Sequence, residues 1–392
     1  MKALVIFFLI FFANMAVADD LEEASGLPDI EMDEAPPSSS FGKVRSYILM
    51  EGLQRRKGGL RQYEFPNGEF SGSLDYSFPS KTDLFLDGLL TFDEAGDKSR
   101  LFINQVGVRQ NWQDNFVLAV GKERSRRAPG LIISPSDLLF TLVPLPGQRE
   151  DRQGVWLTRL SFQQQHRSYD LILLPVDRVD EAGLPGKDAE YFGTTLRTWH
   201  ELGLIDMGLS LGSFDTFKAG LALQTLVENK WKFYYEGAYH SRYERLDASS
   251  KEKAFQHLLG AGYEGSTDFG MRVEYFHNGI GFSKAEFENA RQQVRFSSSS
   301  LSSTAILTPF IRQQFLIFSA NAPEVFHRYN FFAAIVKSLE DTAQMSFVRA
   351  EYLANDWFVA GASQLFVHGG DESQFAGRAF NTQTSLDLKY SF

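Results

Sequence analysis

From Thr382 to Phe392 the chain alternates strictly between two kinds of side chain. Thr384, Leu386, Leu388, Tyr390 and Phe392 share one face of an extended strand, and Gln383, Ser385, Asp387, Lys389 and Ser391 share the other. A strand apolar on one side and ionisable on the other separates hydrocarbon from water. The same period of two recurs upstream. Phe70, Gly72, Leu74, Tyr76 and Phe78 oppose Glu69, Ser71, Ser73, Asp75 and Ser77. Ile205, Met207, Leu209 and Leu211 oppose Asp206 and Ser210, and Phe217, Ala219, Leu221 and Leu223 oppose Lys218, Ala222 and Gln224. Trp231, Phe233 and Tyr235 oppose Lys232, Tyr234, Glu236, His240 and Arg242, while Phe269, Met271, Val273 and Tyr275 oppose Arg272 and Glu274. One such strand is a weak signal; repetition makes it the pattern of an all-β, transmembrane antiparallel β-barrel. Two stretches break it. In 341–353 the apolar set changes phase between Phe347 and Val348, which predicts a bulge. In 356–368 both faces are apolar, which predicts interior packing.

Turn chemistry divides the chain further. Short connections are expected at Phe78 to Lys81, Asn111 to Asn115, Gln164 to His166, Glu228 to Lys230, Gly265 to Thr267 and Leu353 to Asp356. Long ones are expected at 53–66, 125–151, 177–190, 245–253, 279–309 and 369–381. Alternating short periplasmic turns with long external loops is the habit of outer-membrane barrels, and it predicts about 18 strands, with about 16 the rival count. A barrel so wide encloses water rather than a packed core.

The ends change the picture. Lys2, the apolar run Ala3 to Ala13 and the small-residue site Ala16-Val17-Ala18 form a secretory signal peptide, so residues 1–18 are excluded from the fold. Residues 19–40 carry Asp19, Asp20, Glu22, Glu23, Asp29, Glu31, Asp33 and Glu34 with no basic residue, and end in Pro36-Pro37-Ser38-Ser39-Ser40. This reads as an acidic, disordered periplasmic tail, which leaves 41–392 as the barrel. The overall charge of −10 is therefore concentrated in the tail. With 36 Phe and 14 Tyr the exported chain favours a lipid-facing wall over a soluble sandwich. No basic stripe points to nucleic acid.

Candidate chemistry is sparse. None of the seven histidines stands at a telling spacing from a serine, and neither a Gly-x-Ser-x-Gly elbow nor a two-histidine zinc motif is present. The reading is not an enzyme, with no cofactor and no metal; a barrel lipid hydrolase and a surface-adhesive or structural barrel are the alternatives. Lys232, Glu236, Arg242, Arg272, Glu274, Arg349, Glu351, Asp387 and Lys389 are expected to line the lumen, and Tyr390 and Phe392 to close the barrel. The segment Val120 to Asp137 ends a strand in a charge cluster and continues as a Pro-rich, partly apolar loop. Such a loop fits a barrel mouth better than an outer surface. Arg124, Arg126 and Arg127 would then form a constriction favouring anions, or else lie on the rim against acidic lipid. Ser283-Lys284-Ala285-Glu286 is a capping box, predicting a short helix over 284–295 as a solvated element of the 279–309 loop.

Within 120–137, Gly121-Lys122-Glu123 at the strand end, Ala128-Pro129-Gly130 in the loop and Ser134-Pro135-Ser136-Asp137 at the turn are similar to a pattern in proteobacterial outer-membrane barrels that include alginate-export-type porins and related uncharacterised members. Those barrels carry a Trp in the loop and Asn at the turn, where this chain has no Trp and Ser134. The resemblance implies a wide barrel whose charged lumen passes anionic solutes or polysaccharide. Together these readings predict a porin-like channel in the outer membrane of a Gram-negative bacterium, working by diffusion of small hydrophilic solutes. Its expected partners are outer-membrane lipid and lipopolysaccharide, with the barrel-assembly machinery engaged through the C-terminal strand. Oligomeric state is left open.

Overall fold

The computed structural model describes residues 43–57, 60–78, 80–92, 99–112, 115–123, 129–130, 133–139, 154–176, 191–213, 216–244, 250–265, 269–295, 312–355, 357–369, 373 and 382–391. The proposed signal peptide and acidic tail, Arg124, Arg126, Arg127 and Phe392 lie outside the described residues. Eighteen strands are found among those described. They are β1 (Lys43–Lys57), β2 (Leu60–Phe78), β3 (Thr82–Phe92), β4 (Ser99–Trp112), β5 (Phe116–Glu123) and β6 (Val155–Gln164). There follow β7 (Arg167–Val176), β8 (Tyr191–Glu201), β9 (Asp206–Ser213), β10 (Phe217–Val227), β11 (Trp231–Glu244) and β12 (Ser250–Glu264). The last six are β13 (Gly270–Asn278), β14 (Gln314–Val325), β15 (Tyr329–Ser338), β16 (Gln344–Asn355), β17 (Phe358–His368) and β18 (Thr382–Ser391). Each pairs antiparallel with its chain neighbours, and β18 returns to β1 with Leu49 opposite Lys389 and Glu51 opposite Asp387. The sheet therefore has no free edge, as a bilayer-spanning sheet requires. With strands about 4.8 Å apart and tilted about 40°, eighteen of them close into a cylinder about 35 Å across.

Register divides the wall cleanly. One face carries Phe116, Val120, Trp156, Leu160, Leu171, Leu173, Leu196, Leu209, Leu211, Phe233, Leu259, Val273, Phe318, Ile335, Val348, Leu386 and Leu388, all exposed. These side chains form the lipid-facing exterior. Aromatic pairs mark its margins at the short-turn end, Trp231 with Tyr263 and Tyr329 with Tyr352. No helix among the described residues is long and apolar enough to cross a membrane; the strands cross it.

Four expectations need correction. The stretch 53–66 is not a long loop: β1 and β2 run through it to within two residues, with Lys57 opposite Leu60. Pro66, which has no amide proton to give to the ladder, falls where the register slips between Glu51 and Leu53. Likewise the last four residues of 245–253 are strand, because Ser250 already pairs with Glu244. No bulge separates Phe347 from Val348, which face Leu365 and Gln364 in unbroken register; the irregularity lies further on, between Leu353 and Asn355. The phase change has another cause. At the loop end of β16, Met345 and Phe347 point inward into a buried apolar cluster, whereas Ser346 faces out. Nearer the turn end Val348 faces out and Arg349 in, so the strand emerges from hydrocarbon near its middle.

That cluster is the fourth departure, because the inner wall is not charged throughout. Leu258, Phe276, Phe315, Ile317, Val336, Met345, Phe347, Leu365 and Val367 coat the loop end of β12 to β17 on the inside. The apolar character of both faces of β17 has this origin. The long connection after β13 carries α1 (Lys284–Arg295). Its capping box is reciprocal: the Ser283 amide donates to Glu286 at 2.8 Å, and the Glu286 amide to Ser283 Oγ at 3.4 Å. Phe287 is buried beneath the Arg312 guanidinium, which also reaches Glu340 and Asp341 at 3.8 and 3.6 Å. The helix is thus tied to the next loop rather than freely solvated. Ser283→Ala is expected to cost about 1 kcal/mol of helix stability, read as faster proteolytic cleavage within 284–295.

Candidate functional site

A wall about 35 Å across leaves an interior too wide to discriminate small solutes. What narrows it here is the connection between β5 and β6. Its described part, residues 129–130 and 133–139, lies inside the cylinder and is buried except at Leu139, which is partly so. The anchor is Glu236. β11 turns Tyr234, Glu236, Ala238 and His240 inward, and Glu236 is 0% exposed. Its Oε1 accepts from the Gly130 amide at 2.6 Å. Its Oε2 accepts from Ser134 Oγ at 2.6 Å, Ser136 Oγ at 2.7 Å and the Ser136 amide at 3.2 Å. A buried carboxylate is tolerated only when its lone pairs are filled this way.

Small residues let the backbones approach. A Cβ on Gly130 would stand 2.9 Å from both Glu236 Oε1 and Leu258 Cδ2, and one on Gly220 of β10 would stand 3.0 Å from Ser136 Cα. The turn itself is held by the Asp137 amide to the Ser134 carbonyl at 3.3 Å and by the Leu139 amide to Asp137 Oδ1 at 3.2 Å. Ile133 joins the apolar cluster of β12 to β17, and Leu139 packs on a second cluster of Leu157, Ile172 and Leu174 from β6 and β7. The segment therefore runs along the inner wall from β12 across β10 and β11 to β6. Between it and the wall lies a small cleft lined by Ser136, Asp137, Arg197, Trp199 and Ser210.

Beside this segment the inner face of β4 to β7 carries a charge network. Glu123 accepts from Arg159 Nη2 at 2.6 Å and Nε at 3.0 Å, and pairs with Arg109 Nη2 at 3.0 Å. Arg159 Nη1 also donates to Ser161 at 2.8 Å, whose hydroxyl donates to Asp170 at 2.7 Å. Arg109 lies over the Phe85 ring at 4.5 Å and is 36% exposed at its side chain, so it presents positive charge to the interior.

The residues expected to line the lumen all lie on described strands. Lys232, Glu236 and Arg242 occupy inward register positions on β11, as do Arg272 and Glu274 on β13, Arg349 and Glu351 on β16, and Asp387 and Lys389 on β18. Arg349 pairs both along its own strand and across strands, whereas Arg272 and Glu274 find partners on neighbouring strands. Arg272 reaches Glu264 of β12 at 3.0 Å, and Glu274 accepts from the Tyr234 hydroxyl. Asp387 takes both Arg349 Nη1 and Nη2, at 2.8 and 2.9 Å, while Glu351 takes Arg349 Nε at 2.8 Å. Glu236 lines no open lumen, because the folded loop covers it. Arg109, Glu123, Arg159, Asp170 and Arg197 were missed. The signal was there for Glu123, Arg159 and Asp170, each the one ionisable group among the inward positions of its strand. Tyr390 faces outward at the β18 seam, half exposed.

No family model matches the chain, and no curated protein matches it. Solved structures do. OccK11 (OpdR) of Pseudomonas aeruginosa superposes with a TM-score of 0.57 at 10% identity, covering 90% of this chain and 96% of that one. OccAB4 of Acinetobacter baumannii gives 0.56 at 10% identity, covering 91% and 100%. The outer membrane protein OprD of Pseudomonas aeruginosa gives 0.55 at 10% identity, covering 89% and 94%. At such identity the likeness speaks for architecture: the chain is a transmembrane antiparallel β-barrel built on the same plan as OprD and the Occ barrels.

Proposed function

We propose that this protein is a porin-like channel of the Gram-negative outer membrane, passing small hydrophilic solutes by diffusion. The observation that carries this reading is the segment 133–139 held against the inner wall by Glu236, which narrows a cylinder otherwise too wide to select. Selectivity then follows pore radius and the charged groups at the narrowing. We assign anion preference to Arg124, Arg126 and Arg127. Glu123 and Gly130, which flank these arginines in the sequence, are both buried inside the cylinder, which supports the assignment. Anionic solutes, acidic saccharides among them, fit the same field, and the resemblance of residues 121–137 to alginate-export-type barrels points the same way. Lipid and lipopolysaccharide surround the apolar exterior. The alternating C-terminal strand, ending in Tyr390, Ser391 and Phe392, is the segment we assign to recognition by the barrel-assembly machinery.

Purified protein in a planar bilayer is expected to conduct ions with a preference for anions. Replacing Arg124, Arg126 and Arg127 together by glutamine should shift the reversal potential toward cations in a salt gradient. A barrel that stays ion-tight over a wide voltage range would overturn the channel reading. An unchanged reversal potential in the triple variant would overturn the arginine assignment alone.

A further inference from the structure

His257 of β12 and His277 of β13 are direct cross-strand partners on the outer face of the wall. Both are half-buried, and their rings lie 6.2 Å apart between centroids at an interplanar angle of 27°. We propose that this pair is a bis-histidine site for a divalent transition-metal ion of the zinc, nickel or copper class. Three observations converge on it.

The first is register. Residues directly opposite in an antiparallel pair have Cβ atoms about 5 Å apart, so both imidazoles project from one small patch. Two rings that each bind a common ion at about 2.1 Å stand with centroids about 5 to 6 Å apart, close to the separation present. Only a small side-chain adjustment is needed. The second is ring orientation. Tyr235 Oη meets His257 Nδ1 at 2.7 Å, and Tyr235 lies on the same outer face of β11. In the tautomer where Nδ1–H donates to the phenol oxygen, Nε2 carries the lone pair that binds metal. A hydrogen bond on the non-ligating nitrogen is the usual way a protein fixes a metal-binding imidazole. The third is location. On β13 to β16 the outer face turns from apolar to polar along one line: Tyr275 to His277, Leu316 to Gln314, Ile335 to Lys337 and Val348 to Ser346. His277 stands on the polar side of it, opposite Gln314, at the level where the wall leaves hydrocarbon for water. The bound ion would clamp β12 to β13 immediately before the connection that carries α1.

The test is titration of tag-free protein in detergent with Zn²⁺, followed by calorimetry and by thermal unfolding. One ion per chain is expected, with a rise in unfolding temperature that follows ion concentration. His257→Ala and His277→Gln should each abolish both effects, and Tyr235→Phe should weaken binding about tenfold. Copper(II) bound to the unaltered protein should show an electron paramagnetic resonance spectrum split by two nitrogens, a readout that needs no variant. Absence of binding, binding unchanged in either histidine variant, or a copper spectrum without nitrogen splitting would overturn the site.

Discussion

Glu236→Ala is expected to raise single-channel conductance several-fold, with noisier open levels, while the barrel stays folded. The side chain fills no structural gap in the ladder; its work is to accept four hydrogen bonds from Gly130, Ser134 and Ser136. Removing it leaves those donors without their acceptor against the wall, at about 1 to 3 kcal/mol for each group that stays buried. The segment relieves this by leaving the wall, and Ile133 and Leu139 then give up their places in two apolar clusters. Glu236→Gln keeps one acceptor oxygen and should fall between alanine and the native residue. Heat-modifiable migration on a gel reports the fold, and planar-bilayer recording reports the pore. Native conductance and noise in both variants would show that the loop does not set the aperture.

The second large effect concerns stability. Arg349 lies flat across β17, joining Glu351 on its own strand to Asp387 on β18. Room for it comes from Gly361, where a Cβ would stand 2.8 Å from Arg349 Nη2 and 2.7 Å from Asp387 Oδ1. The Arg349 and Asp387 side chains are only 10% and 6% exposed. Arg349→Ala would strand a buried carboxylate next to the seam, and breaking such a pair costs about 3 to 5 kcal/mol. Denaturant unfolding of the refolded barrel should show a loss near the lower figure, since lumen water reaches Glu351. Arg349→Met combined with Asp387→Leu removes both charges and should recover most of the loss. Equal instability in the single and double variants would mean that packing, rather than charge pairing, sets the effect.

How far the residues announced these features depends on the range of the interaction. The two faces of β18 were legible because one strand between lipid and water reports both solvents directly. The capping box at Ser283 and Glu286 was legible for the same reason: donor and acceptor sit three residues apart. β16 misled because its outer solvent changes along its length, so an unbroken strand shows the phase change of a bulge. The stretch around Pro66 misled because loop-like residues there fill a register slip inside a strand pair. At the constriction, Ser134-Pro135-Ser136-Asp137 was conspicuous, but its acceptor is about a hundred positions away. Nothing local distinguishes Glu236, held under a folded loop, from Glu351, which keeps contact with water. The inner charges of β5, β6 and β7 sit singly on their strands, and only register shows that Arg159, Asp170 and Glu123 meet.

The separation between Glu236 and its donors also orders the making of the molecule. Gly130, Ser134 and Ser136 are synthesised 106, 102 and 100 positions before the carboxylate that receives them. During insertion, β5 and β6 can pair while the segment between them still has no anchor. The aperture therefore acquires its shape only when β5, β6 and β11 all stand in the sheet, whereas the β1 to β18 junction needs nothing from it. A partial sheet that holds β5 and β6 without β11 would leave the donors of Gly130, Ser134 and Ser136 seeking another acceptor.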